Sequence, residues 1–123
     1  MATLNVTITL SSADATADKL NISTNDALST TNPAINLARV SIGTSAATNI
    51  LAASVNTAIT YVYIKNTNSS ASEILILKDD AGNAFADLKG GEFAFLPIKA
   101  STGLECQASG AAVTAEYGYW TTA

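Results

Sequence analysis

Three features of this sequence predict an all-β fold, an antiparallel sandwich or barrel of seven to nine strands with little helix. Strand-like segments recur about every ten residues in the second half. Turn chemistry separates them, and apolar residues alternate with Ser, Thr and Asn along other stretches. The segments are ITYVYIK (59–65), EILILK (73–78), AFADLK (84–89), EFAFLPIK (92–99), GLECQAS (103–109) and VTAEYGYW (113–120). Between them lie NTNSSAS (66–72), Asp79-Asp80-Ala81-Gly82-Asn83, Gly90-Gly91, Ser101-Thr102-Gly103 and Ser109-Gly110.

The first half continues the pattern less regularly. In residues 3–10, Leu4, Val6, Ile8 and Leu10 point one way and Thr3, Asn5, Thr7 and Thr9 the other, the mark of a half-buried strand. Its apolar face is assigned to the core; the alternative is an extended arm that pairs with a neighbour's sheet edge. Residues 11–17 read as a loop, KLNIST (19–24) as a short strand, and 25–33 as turn-rich, with Pro33 holding Asn32 extended. In INLARVSI (35–42) the apolar phase slips at Ala38-Arg39, which predicts a bulge. TSAATNILAASV (44–55) fits a helical turn or linker as well as a strand over 50–55.

Closing these strands as a sandwich gives every apolar face a partner. The expected core is Leu4, Val6, Ile8, Ile74, Ile76, Phe93, Phe95, Val113, Ala115 and Tyr117. Tyr61, Tyr63, Phe85, Phe93, Phe95, Tyr117, Tyr119 and Trp120 are expected to supply most of the large buried area.

A length of 123 residues fits one β-sandwich domain over 1–123. Charged residues make up 13%, against ~25% in an ordinary soluble domain. Ala, Ser, Thr and Asn take their place, giving a surface suited to packing against copies of itself or a partner. The net charge of −4 and singly scattered lysines form no basic stripe, so no nucleic-acid partner is expected. No apolar run reaches the ~18 residues of a membrane helix, and the N-terminus lacks a signal-peptide pattern.

Chemistry is sparse. Without His, the commonest general base is missing and no Ser-His-Asp or Cys-His arrangement can form. Glu73, Glu92, Glu105 and Glu116 fall on separate segments with no motif. Asp79-Asp80, with Asp87 beyond, is the one acidic cluster; it lacks calcium-loop spacing and reads as an Asx-Gly turn. Cys106, between Leu104 and Ala108, reads as a buried thiol. Asn68-Ser69-Ser70 matches a glycosylation sequon. No catalytic, cofactor-binding or metal-binding residue is assigned, and the chain is expected not to be an enzyme.

The motifs YIKNT (63–67), LKGGEFAFLP (88–97), CQASG (106–110) and VTAEY (113–117) resemble those of small structural virion proteins of tailed bacteriophages. The resemblance covers about half the chain and rests on strand pattern. It implies a jelly-roll-like sandwich that trimerises, and a capsid decoration (cement) protein on the outer surface of the virion. The implied partner is the major capsid protein, whose neighbouring subunits the chain would link. Loops 11–17, 25–33 and 66–72, gathered at one end, are the expected contact surface. The alternative is a tail- or fibre-associated protein binding a carbohydrate or receptor through exposed aromatic rings. A hydrolase is the third reading, and the missing His argues against it.

Overall fold

The computed structural model describes residues 2–31 and 37–122 and is all-β. Ten strands follow in order: β1 (Ala2–Ser12), β2 (Leu20–Thr30), β3 (Ala38–Ile42), β4 (Thr48–Leu51), β5 (Thr60–Asn66), β6 (Ile74–Asp79), β7 (Ala84–Leu88), β8 (Phe93–Ile98), β9 (Leu104–Ser109) and β10 (Val113–Thr121). Eight of them form two four-stranded sheets, ordered β3-β10-β5-β8 and β4-β9-β6-β7. Every pairing within the sheets is antiparallel.

Four of those pairings, β3·β10, β4·β9, β5·β8 and β6·β7, are the pairings of a single long hairpin whose tip is the β6–β7 turn. Rolled up, consecutive pairs land on alternate sheets, and β10·β5 and β6·β9 complete each sheet. This strand order closes a β-sandwich and is compatible with the jelly-roll-like winding expected. β1 and β2 stand apart as an eleven-residue-per-strand hairpin in continuous register from Ala2↔Thr30 to Ser12↔Leu20.

The core between the sheets is aliphatic. Ile42, Val62, Ile64, Leu75, Leu77, Leu104, Cys106, Val113 and Ala115 are fully buried, and Tyr117 packs against them. Val113, Ala115 and Tyr117 therefore stand where the sequence placed them. Strand β6 has the opposite phase to that expected: Leu75 and Leu77 point inward, while Ile74 and Ile76 are half-buried on the outer face. On β8 the expected Phe93 and Phe95 also face outward, and Ala94, Leu96 and Ile98 face the core. None of the eight aromatics is fully buried, so they do not supply the core area.

Two buried asparagines close opposite ends of β5. Asn56 Nδ2 donates to the carbonyls of Lys99 (2.7 Å) and Thr102 (2.8 Å), and its Oδ1 accepts from Thr60 Oγ1 at 2.7 Å. Asn66 Nδ2 donates to the carbonyls of Glu73 (2.8 Å) and Leu88 (2.9 Å), and its Oδ1 accepts from the Asn68 amide at 3.0 Å. Beside Asn66 the β7–β8 turn fits only through its glycines. A Cβ on Gly90 would sit 2.4 Å from the Ser70 carbonyl oxygen, and Gly91 has φ +87°.

The first half departs from its expected boundaries. The contested 44–55 segment contributes β4, the strand that brings the count to ten. Residues 25–30, expected as turn, continue β2, because their partners on β1 hold them extended. Leu4, Val6 and Ile8 lie outside the sandwich core, on the hairpin. β3 pairs with β10 without a register shift from Ala38 to Ile42, so no bulge forms at Ala38-Arg39. Asn32, Pro33 and Ile35 lie outside the described residues.

Candidate interaction surface

The outer face of the β3-β10-β5-β8 sheet carries most of the aromatic rings. Alternation fixes which ones: Val62 and Ile64 face the core, so Tyr61, Tyr63 and Lys65 face outward. On β8 the outward set is Phe93, Phe95 and Pro97, and on β10 it is Thr114, Glu116, Gly118 and Trp120. The Tyr61 and Phe95 rings lie nearly parallel, 5° between planes and 6.0 Å between centroids. Trp120 lies across Gly118, whose missing Cβ would stand 3.1 Å from the Trp120 ring and 3.2 Å from Leu37. Glu116 accepts from Arg39 Nη2 at 3.0 Å and from the Tyr63 hydroxyl at 3.3 Å. Partial burial and the Glu116 carboxylate hold the Tyr63 hydroxyl above its ordinary pKa.

The β1–β2 hairpin lies over this face. Its register puts Leu4 opposite Leu28, Val6 opposite Asp26, Ile8 opposite Thr24 and Leu10 opposite Ile22. One side of the hairpin is therefore an apolar stripe interrupted by Thr24 and Asp26. The other side carries Thr3, Asn5, Thr7, Thr9, Asn21, Ser23 and Asn25. At the base, the Thr31 amide donates to the Thr121 carbonyl at 2.9 Å, and Thr30 bridges Thr122.

From base to tip the stripe loses cover. Leu4, Val6 and Leu28 are half-buried, whereas Ile8 is 41%, Ile22 48% and Leu10 52% exposed. On the sheet, Phe93 is 66% exposed. Open clefts flank the hairpin. One, of about 600 Å³, is lined by Leu4, Val6, Ile8, Leu10, Tyr63, Phe93, Phe95 and Trp120, among others. The other, of about 310 Å³, has Tyr61, Phe95 and Pro97 on the sheet side and Val6, Ile8, Thr24, Asn25, Asp26 and Leu28 on the hairpin side.

The residues weighed for chemistry are engaged elsewhere. Asp79 accepts from the amides of Ala81 (3.0 Å) and Asn83 (2.8 Å) and from Asn83 Nδ2 (3.1 Å), and these bonds hold its carboxyl below the ordinary range. That carboxylate stabilises the β6–β7 turn. Glu73 accepts from Asn68 Nδ2 at 2.8 Å, and Glu92 from the Lys89 amide at 2.8 Å. Asn68 Nδ2 also donates to the Ala112 carbonyl at 3.0 Å. Glu105 lies on β9, where the side chains next to it in sequence are buried. Cys106 is fully buried, and desolvation with the nearby Glu105 charge pushes its thiol up to about 12. Among the described residues, no three His, Cys, Asp or Glu side chains converge as metal ligands. Among the described residues, no helix is long and apolar enough to cross a membrane.

The three segments expected to form one contact surface do not form three loops. Residues 13–18 are the hairpin tip, 25–30 belong to β2, and 67–73 connect β5 to β6. The rings and the stripe of β1 were assigned to the core, with exposed rings only in the alternative reading, because alternation shows that a strand has two faces without saying which is inward. No family model, curated protein or solved structure matches this chain. The geometry offers a surface for contact, apolar and broad, on a body whose buried side-chain polar atoms all have hydrogen-bond partners among the described residues.

Proposed function

We propose that this chain is a structural virion protein, a decoration protein that binds the outside of a tailed-phage capsid and stabilises it by linking neighbouring major capsid subunits. The observation that carries the reading is the apolar stripe and aromatic face left uncovered on an otherwise hydroxyl-rich, low-charge sandwich. Contiguous apolar surface of this kind marks a site that another protein covers. A surface with few charges loses little on desolvation, whereas each unpaired buried ion costs several kcal/mol. The phage-like motifs supply the identity of the partner, and trimerisation follows from the same resemblance. Co-sedimentation with purified capsids lacking the protein tests it. The proposal expects saturable binding in a fixed ratio to capsid subunits, and absence of binding contradicts it.

A second reading, sugar or receptor binding from a tail fibre, is favoured by the smaller cleft. There the parallel Tyr61 and Phe95 rings share a cleft with Val6, Ile8 and Leu28 and with Thr24 and Asp26, an aromatic floor with hydrogen-bonding groups beside it. A glycan array separates the two, since only this reading expects a discrete sugar hit abolished by Tyr61→Ala.

A further inference from the structure

We infer that the smaller cleft, between Asp26 of the hairpin and the Tyr61 and Phe95 rings of the sheet, receives the side chain of an arginine that a partner protein presents.

Asp26 breaks the apolar stripe on the side of the hairpin that faces the sheet. It stands opposite Val6, with Thr24 and Leu28 beside it on the same face of β2. Val6, Leu28, Tyr61, Phe95 and Pro97 line the cleft with it, so a carboxylate projects into a largely apolar and aromatic recess. Its Oδ1 accepts from the Ala27 amide at 2.8 Å. Among the described residues one ion pair forms, Arg39 with Glu116, and Asp26 has no cation. An apolar residue there would simply have continued the stripe. A cation in the cleft turns the same charge into an attraction.

The groups present select the ligand. An ionised carboxylate only accepts hydrogen bonds, and aromatic ring faces are electron-rich, so both favour a cation. A sugar also asks for donors, and the Asn25 amide that could supply them belongs to the other side of the hairpin. Guanidinium fits better than ammonium, because it is planar, stacks on aromatic faces and offers paired N–H groups to a carboxylate. A volume of about 310 Å³ lies at the small end of ligand pockets, ~300–1,000 Å³, and suits one side chain rather than a helix or strand. The chain's net charge of −4 adds long-range attraction for a cationic partner. An ion pair partly enclosed beneath the hairpin is screened by salt less than an exposed one. The chemistry of the cleft is the same for a capsid subunit or any other partner, so it stands or falls separately from the capsid reading.

Arginine capped at both ends (N-acetyl-arginine methylamide) is titrated into the full chain and followed by NMR. The Ala27 amide, bonded to the Asp26 carboxylate, and the Tyr61 ring are the reporters. Both are expected to shift together and to saturate in the millimolar range. Capped citrulline, the same shape without the charge, is expected to need about tenfold more. Asp26→Asn, at an exposed position, is expected to weaken arginine binding about tenfold with an unchanged circular-dichroism spectrum. Tyr61→Ala is expected to weaken it about threefold. A flat titration, equal shifts with citrulline, a full arginine response in Asp26→Asn, or reporters that answer N-acetylglucosamine instead would overturn the inference.

Discussion

Asn66 on β5 ties itself to Leu88 on β7, in the opposite sheet, through a hydrogen bond of 2.9 Å from its side-chain amide to the Leu88 carbonyl. The same amide reaches the Glu73 carbonyl, and the side-chain oxygen receives the Asn68 amide. One fully buried side chain thus holds together the end of β5, the β5–β6 connection and the end of β7. Asn56 does the same for the loops at the other end of β5. The two sheets are pinned at both ends, which leaves the outer aromatic face a fixed platform.

Replacing Asn66 with Ala should therefore be costly. Two carbonyls and one amide would lose their partners in a buried site, at ~1–3 kcal/mol for each group left unsatisfied. Urea unfolding is expected to show a loss of about 3 kcal/mol or more. A loss below about 1 kcal/mol would mean that water enters and replaces the amide.

Core and face should respond differently to truncation. Leu77 is fully buried, so Leu77→Ala is expected to cost ~2–5 kcal/mol. Phe93 is 66% exposed, so Phe93→Ala is expected to change stability by less than about 1 kcal/mol while weakening binding to capsids. Equal losses in the unfolding of the two variants would contradict the inward phase of β6 and the outward phase of β8.

Much of the fold was legible and the inward phase of some strands was not, for a reason visible in particular residues. EILILK is apolar at four consecutive positions, so alternation leaves either pair free to face the core. A single charge breaks the tie. Lys78 shares parity with Ile74 and Ile76, Lys65 with Tyr61 and Tyr63, and Glu116 with Trp120, and each of these sets faces outward. The β1–β2 register was hidden because the partner strand is mostly Ser, Thr and Asn, which also make turns. Asn56 and Asn66 looked like ordinary turn residues, since their partners lie up to 46 positions away.

Alkali should weaken the fold through Cys106. Its thiol is raised from 9.0 to about 12 in the folded state. Below pH 9 both states keep the proton and the thiol does not affect stability with pH. Between 9 and about 12 the unfolded chain loses the proton while the folded chain keeps it, so stability falls as pH rises. Urea midpoints are expected to drop across that window and to drop less in Cys106→Ala. Equal slopes in the two proteins would show that the drop comes from other groups. At neutral pH the native thiol should resist alkylation until the chain is unfolded.

Binding to capsids as a function of salt tests the central claim, attachment through apolar contact, most directly. The chain has only 16 formally charged side chains, and exposed charge pairs are screened within ~8 Å at physiological salt. Occupancy on expanded capsids, measured by co-sedimentation from low to high salt, is expected to stay near saturation, with labelled protein seen over the head surface. A steep loss of occupancy with salt, or label confined to the tail, would contradict it.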